Sequence, residues 1–159
     1  MNRLTKKLDE LKKLNKKALV AYLVAGDPDL DSTLDIMHMF VKSGVDVIEV
    51  GVPFTDPIAE GPIIQRAHDR AITKKTSLED IFDLITKFRL KDNETPVVLM
   101  GYLNSFIFFR NLIEENKNNS VDSILVVDIP GELNIDDYGI KNENINTISL
   151  ISPTTKEDR

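Results

Sequence analysis

Hydrophobic residues along the chain fall into two patterns, short continuous runs and helically spaced stripes. Continuous runs occupy residues 18–24, 45–50, 96–100, 122–127 and 145–151 and predict strands that are buried on both faces. Most successive runs begin about 25 residues apart, which is the length of a βα unit. The pattern therefore predicts an α/β fold with a parallel sheet and right-handed crossovers.

Amphipathic segments between the runs predict the connecting helices. Ser32 with Asp35, and Ser77 with Asp80, have the capping-box spacing that marks a helix start. Helical spacing predicts two further helices, at 63–73 and 105–116. The first of these two explains the one long interval between strands.

Residues 1–17 form a separate basic segment with seven Lys/Arg and two acidic residues. Its leucines recur at helical spacing, at Leu4, Leu8, Leu11 and Leu14. A basic amphipathic helix can bind a membrane surface, but this stripe is short and lacks aromatic residues. We therefore favour a helix that covers one end of the domain.

Composition narrows the class of protein. The 159 residues are 42% hydrophobic and 29% charged, which predicts one domain over 1–159, with the helix at 1–17 and βα units at 18–159. No apolar run approaches the roughly 18 residues of a membrane span, and no secretory signal is visible. A net charge of −6 argues against nucleic-acid binding, and two histidines without cysteine argue against a metal site. We expect a cytoplasmic protein.

Five βα units suit either a flavodoxin-like domain or the first part of a TIM barrel, which needs about 250 residues. The first loop, Val24–Pro28, lacks the Ser/Thr-rich composition of a flavin phosphate loop. The acids after strand three and the lysine after strand five that a receiver domain requires are also missing. Thr155 with Asp158 resembles a helix start just before the last residue. We therefore expect a fragment, a TIM barrel truncated to about five βα units.

Carboxylates mark the candidate chemistry. Glu49 lies near the end of a predicted buried strand, where desolvation raises the pKa of a carboxyl group and suits it to proton transfer. The alternatives are a Glu that faces solvent or one that pairs with a basic residue. The following loop, 51–62, is rich in Gly and Pro and carries Asp56 and Glu60. Glu60 can project back over Glu49, or both loop acids can simply be solvated.

Residues 48–62, IEVGVPFTDPIAEGP, resemble the signature of the α subunits of tryptophan synthase. The similarity extends along the chain through Gly26–Pro28, Met100–Asn104, Val121–Asp122, Asp128–Pro130 and Ser152–Thr155. The resemblance implies a TIM barrel that cleaves indole-3-glycerol phosphate to indole and glyceraldehyde 3-phosphate by retro-aldol chemistry. It also implies an α2β2 complex in which the β subunit holds pyridoxal phosphate, while the α subunit needs no cofactor.

The resemblance assigns roles to two acids. Glu49 occupies the position of the general acid/base, and Glu60 that of the carboxylate which accepts a hydrogen bond from the indole N–H. The family usually has Asp at the second position, so this chain carries one more methylene there. We expect a functional but slower site.

The resemblance also assigns substrate and partner contacts. Tyr22 stands where the family usually has Phe at the indole pocket, and its hydroxyl needs a hydrogen-bond partner. Tyr102 matches the family and is expected to line the same cavity. Pro53 and Asp56 match loop positions near the β-subunit interface.

The histidines are not expected to act: His38 is predicted to pack or lie at a rim, and His68 to be solvated. The family binds phosphate through loops after later strands, so we expect the 159-residue chain alone to be inactive and prone to aggregation. Two alternatives stay open. The chain is a non-catalytic half barrel that binds the β subunit or itself, or it belongs to another phosphate-binding barrel of tryptophan or histidine synthesis.

Overall fold

A parallel sheet of five strands organises the chain, which a computed structural model describes over residues 2–115, 120–140 and 143–155. In sheet order, which is also chain order, the strands are β1 (Val20–Val24), β2 (Val47–Gly51), β3 (Val97–Gly101), β4 (Ser123–Val126) and β5 (Asn146–Ile148). Each predicted strand is present, with ends that differ by at most three residues.

Helices connect the strands as the sequence predicts. They are α1 (Arg3–Lys13), α2 (Leu30–Lys42), α3 (Pro62–Thr73), α4 (Leu78–Arg89), α5 (Leu103–Phe108) and α6 (Arg110–Glu115), with a 3₁₀ helix at Ile135–Tyr138. The predicted helix at 105–116 is thus two short helices that break at Phe109. The predicted helix start at Thr155–Asp158 lies partly outside the described residues.

Helix starts confirm one capping prediction and correct the other. At α4 the Ser77 side chain accepts from the Asp80 amide while the Asp80 carboxylate accepts from the Ser77 amide, which is the predicted capping box. At α2 the predicted cap at Ser32 is wrong. Asp29 is the N-cap, and its carboxylate accepts from the Ser32 amide at 2.7 Å. Asp29 lies three residues before Ser32, which is the spacing of a side-chain cap. Helix α2 therefore begins at Leu30, about one turn before the predicted start.

The two faces of the sheet have different coverings. The helix face carries Ile48, Val50, Val97, Leu99, Ile124 and Val126, which pack against α2 and α4 in the main core. The inner face carries Val47, Val98 and Leu125, which cluster with Leu4 of α1. Because side chains alternate along a strand, Glu49 shares the inner face with Val47. The inner face therefore holds the candidate acid.

Helix α1 covers the end of the sheet where the strands begin. Arg3 forms an ion pair with Asp122, which immediately precedes β4, at 3.2 Å. Leu4 is buried, whereas Leu8 and Leu14 of the same stripe are 45% and 64% exposed. This agrees with a helix that covers one end of the domain, although only part of its apolar stripe is used.

At the opposite end of the sheet, the loops after β1 to β4 lie together. Helix α3 packs across the end of β1, where Ala67 and Ala71 contact Val24. None of the helices described is long and apolar enough to cross a membrane.

Candidate active site

Glu49 occupies the inner face of β2, between Tyr22 on β1 and Val98 on β3. Burial raises the pKa of its carboxyl group. Among the residues that the structure describes, none forms a hydrogen bond or ion pair with this side chain. Glu49 is therefore half-buried and unpaired among the described residues, which agrees with the desolvated carboxyl group expected from the sequence.

Glu60 lies on the loop after β2 and turns inward, with its side chain 8% exposed. The Tyr102 hydroxyl donates a hydrogen bond to Glu60 Oε2 at 2.6 Å and accepts one from the Ala59 amide at 3.1 Å. Burial and the bond to Glu60 raise the pKa of Tyr102 to about 12. The alternative of a solvated Glu60 is therefore wrong, because Tyr102 holds its carboxylate against the end of β3.

Other contacts fix the path of this loop. The Val52 amide donates to the Met100 carbonyl at 2.8 Å, and the Gln65 side chain donates to the Glu60 carbonyl at 2.9 Å. The Phe54 ring stacks on Tyr102 with 4.5 Å between ring centroids. Pro53 is half-buried and Asp56 is exposed on the outer side of the same loop.

Tyr22 brings a hydroxyl group into the same region. Its phenol lies over Gly51, so closely that a Cβ at residue 51 would overlap with the hydroxyl oxygen. Burial raises the pKa of Tyr22, and the charges of Glu60 and Glu49 raise it further. The phenol is therefore close enough to interact electrostatically with both carboxylates.

His68 belongs to this cluster, and the prediction that it is solvated is wrong. Its side chain is 1% exposed. Nδ1 accepts a hydrogen bond from the Phe54 amide at 3.2 Å, and Nε2 lies 3.4 Å from the Tyr22 hydroxyl and 3.7 Å from Glu60 Oε1. The missed signal is its place in an apolar stripe on α3, formed by Ile64, Ala67, His68 and Ala71.

The other histidine agrees with its prediction. His38 on α2 packs on Phe88 of α4 with 4.9 Å between ring centroids, away from the acids. Its Nε2 is buried, and no described residue forms a hydrogen bond with it. No group of three or more potential metal ligands occurs within the described ranges.

The arrangement has the parts needed for proton transfer beside a developing positive charge. Glu49 is a carboxyl group whose raised pKa brings it closer to neutral pH. Glu60 is a carboxylate oriented by Tyr102 through Oε2, and no described residue forms a hydrogen bond with Oε1. Such a pair can move a proton with one acid and stabilise a cationic ring with the other.

Comparison with known proteins gives a consistent answer. The family model "Tryptophan synthase alpha chain" matches residues 8–159. The tryptophan synthase alpha chain of Neisseria meningitidis serogroup B is 48% identical over 146 residues, which are 90% of this chain and 56% of the relative. That of Nitrosomonas europaea is 43% identical over 162 residues, which are 100% of this chain and 59% of the relative.

Solved structures are similar in fold. The subunit alpha of tryptophan synthase from Legionella pneumophila superposes with a TM-score of 0.91 at 40% identity, over 99% of this chain and 62% of that chain. A chain from the tryptophan synthase α2β2 complex of Pyrococcus furiosus gives 0.76 at 38% identity, over 89% and 58%. The chain thus spans 56–59% of the length of the two curated relatives named above.

Proposed function

Because the chain belongs to the family of tryptophan synthase alpha chains, we propose that its protein cleaves indole-3-glycerol phosphate to indole and glyceraldehyde 3-phosphate. The five βα units have the architecture of the TIM barrel in this family, as the sequence predicts. The observation that carries the proposal is Glu49, a half-buried carboxyl group that no described residue pairs with, on the face that Glu60 and Tyr102 adjoin.

Glu49 is proposed to move both protons of the reaction. Protonation of the indole ring at C3 converts the ring into an electron sink. Removal of the proton from the glycerol hydroxyl then allows the carbon–carbon bond to break, with its electrons passing to the ring as the aldehyde forms. The raised pKa of Glu49 suits this role, because the group must both donate and accept a proton near neutral pH.

Glu60 is proposed to accept a hydrogen bond from the indole N–H and to stabilise the positive charge on the protonated ring. An oriented carboxylate is effective here because its position does not change during the reaction. The bond from Tyr102 supplies that orientation. Tyr22 and Tyr102 are proposed to line the indole cavity, where their rings supply apolar surface.

The protein is also proposed to bind a tryptophan synthase β subunit in an α2β2 complex. Pro53 and the exposed Asp56 lie on the loop that carries Glu60, so a partner on this loop would affect the position of the acid. The pyridoxal phosphate chemistry belongs to the β subunit, and the α reaction is proposed to need no cofactor. We place the complex in the cytoplasm, because a chain without cysteine is compatible with a reducing compartment.

Indole release from indole-3-glycerol phosphate by the complete encoded protein tests this proposal. We expect Glu49→Gln to lower kcat by about 10²-fold or more, as is usual on loss of a general acid/base. Glu94→Gln is the matched control, because Glu94 pairs with Lys6 at the surface, 78% exposed. No indole release by the complete protein, or full activity of Glu49→Gln, would contradict the proposal.

The 159-residue chain alone is a separate case. The phosphate-binding loops implied by the family are not among its five units, so we expect no indole release from this chain by itself. The alternative role is a non-catalytic module, favoured by exposed apolar residues at the outer strand β1, where Leu19 and Val20 are 55% and 50% exposed. Size-exclusion mass measurement of the 159-residue chain, with and without a β subunit, tests this alternative: a dimer or a complex supports the module, and a monomer in both samples contradicts it.

A further inference from the structure

Three side chains from different elements meet around His68 Nε2. They are His68 from α3, Tyr22 from β1 and Glu60, through Oε1, from the loop after β2. His68 Nε2 is 3.4 Å from the Tyr22 hydroxyl and 3.7 Å from Glu60 Oε1. Tyr102 meanwhile binds Glu60 Oε2. The carboxylate is thus faced by a different group at each oxygen.

The hydrogen bond from Phe54 determines which nitrogen of His68 carries the proton. Because the Phe54 amide donates to Nδ1, that nitrogen has a free lone pair, and the neutral ring carries its proton on Nε2. The ring is 1% exposed, and burial lowers the pKa of His68, which favours the neutral form. The Nε2–H therefore lies toward Tyr22 and Glu60.

His68 approaches both neighbouring groups through one nitrogen. Nε2 lies 3.4 Å from the Tyr22 hydroxyl, within hydrogen-bonding range. It lies 3.7 Å from Glu60 Oε1, which is an electrostatic contact and not a hydrogen bond. The three residues therefore form one unit.

We propose that His68 is a positioning residue for the α reaction, which holds Glu60 and the Tyr22 hydroxyl in the arrangement that binds the indole ring. The proposal rests on the lyase function proposed above. His68 does not touch the substrate in this scheme. It acts by holding the Tyr22 hydroxyl through Nε2–H at 3.4 Å, with the polar N–H edge 3.7 Å from Glu60 Oε1, while its Nδ1 ties the same unit to the backbone of the loop at Phe54.

Two substitutions separate the functions of the two ring nitrogens. His68→Gln can place an amide N–H near the position of Nε2. His68→Asn can keep an acceptor near the position of Nδ1 but is too short to reach Glu60. We expect His68→Asn to lower kcat about tenfold with KM changed less than about threefold, and His68→Gln to retain most of kcat. His38→Asn is the matched control, because His38 is distant from the acids, and should leave kcat unchanged.

The effect falls on kcat because Glu60 interacts most strongly with the cationic ring of the transition state. A purely structural histidine would instead lower Tm and leave kcat of the folded protein unchanged. That result, or equal kcat for the Asn and Gln variants, would overturn the proposal.

Nitrogen NMR of the histidine rings in the complete protein provides a readout that needs no activity. We expect His68 to show the Nε2–H tautomer. We also expect Glu60→Gln to lower the pKa of His68 further, because the Glu60 charge raises it. An Nδ1–H tautomer, or a pKa indifferent to Glu60→Gln, would overturn the positioning role even in an active enzyme. If the complete protein were inactive but gave the expected NMR results, the lyase function would be rejected, while the contacts of His68 with Phe54 and Glu60 would stand.

Discussion

Tyr22 and Glu49 are register partners on the adjacent parallel strands β1 and β2, so their side chains leave the sheet on the same face. The Tyr22 phenol then extends over Gly51, two residues along β2, and reaches His68. The absence of a side chain at Gly51 is what permits this path. The proposed proton-transfer acid and the His68 unit are therefore connected through one tyrosine and one glycine.

Gly51→Ala tests this connection. The new methyl group would overlap with the Tyr22 hydroxyl, so we expect a loss of about 1–3 kcal/mol in the free energy of unfolding and a lower kcat. Tyr22→Phe in the same background should recover part of both, because it removes the nearest atom. Gly61→Ala, at the N-cap of α3, is the control, since no described atom lies within 4 Å of its Cβ position. Urea unfolding and the indole assay make the comparison, and a neutral Gly51→Ala would refute it.

Burial of Glu49 predicts a pH-dependent cost to stability. Its folded pKa is raised, so the folded state holds the proton to higher pH than the unfolded state does. The free energy of unfolding should therefore fall as pH rises from the unfolded pKa of about 4.3 through the folded pKa. Glu49→Gln should remove this fall and be the more stable protein at pH 7, with the gain lost below about pH 4.

Urea unfolding of both proteins between pH 4 and 8 measures this difference. Glu94→Gln should follow the wild-type curve, because Glu94 is at the surface. If the free energy of unfolding depended on pH in the same way for wild type and Glu49→Gln, burial of the Glu49 carboxyl group would not destabilise the folded protein.

Glu60→Asp tests whether the longer acid is adapted to its surroundings. The shorter side chain moves the carboxylate away from the Tyr102 hydroxyl, now at 2.6 Å, and from His68. Because a displacement of about 1 Å can cost about 10²-fold in rate, we expect kcat to fall between about 10-fold and 10²-fold. Tyr102→Phe should lower kcat as well, and the double variant should lose less than the two single losses combined. Unchanged or higher turnover of Glu60→Asp would show that the usual family residue suits this site equally.

Asp122 is expected to be a main contributor to stability. It is 1% exposed, and its carboxylate binds Arg89 at 2.9 Å, Arg3 at 3.2 Å and the Val97 amide at 2.9 Å. Asp122→Ala leaves the buried guanidinium of Arg89 without its acid, so we expect a loss of about 3–5 kcal/mol. Glu94→Ala breaks the exposed pair with Lys6 and should cost less than about 1 kcal/mol. Equal losses for the two variants would contradict this assignment.

The five strands and the location of Glu49 follow from local patterns. Continuous apolar runs define β1 to β5, and the parallel arrangement brings the loops that follow them to one end. Glu49 is predictable because an acid within such a run stands out. These features depend on residues close together in sequence, which is why the sequence predicts them.

His68 and Glu60 show what the sequence alone leaves open. Whether a loop acid turns inward depends on Tyr102, which is 42 residues further along the chain. The apolar stripe on α3 indicates that His68 faces inward, but its contacts with Tyr22 and Glu60 depend on how α3 lies across β1. The cap of α2 fails for a different reason, since Asp29 and Ser32 are both suitable caps and tertiary packing selects the first.

Helix α1 has a consequence for the order of assembly. Its partners are far along the chain: Asn2 donates to the Asp122 carbonyl, 120 residues away, and Asn146 donates to Asn2, 144 residues away. Because a ribosome adds about 5–20 residues per second, these contacts can form only several seconds or more after α1 has been synthesised. During that interval the basic helix has no Asp122 to bind. Its docking therefore requires that β4 and β5 have already been made, which places this contact after the synthesis of all five strands.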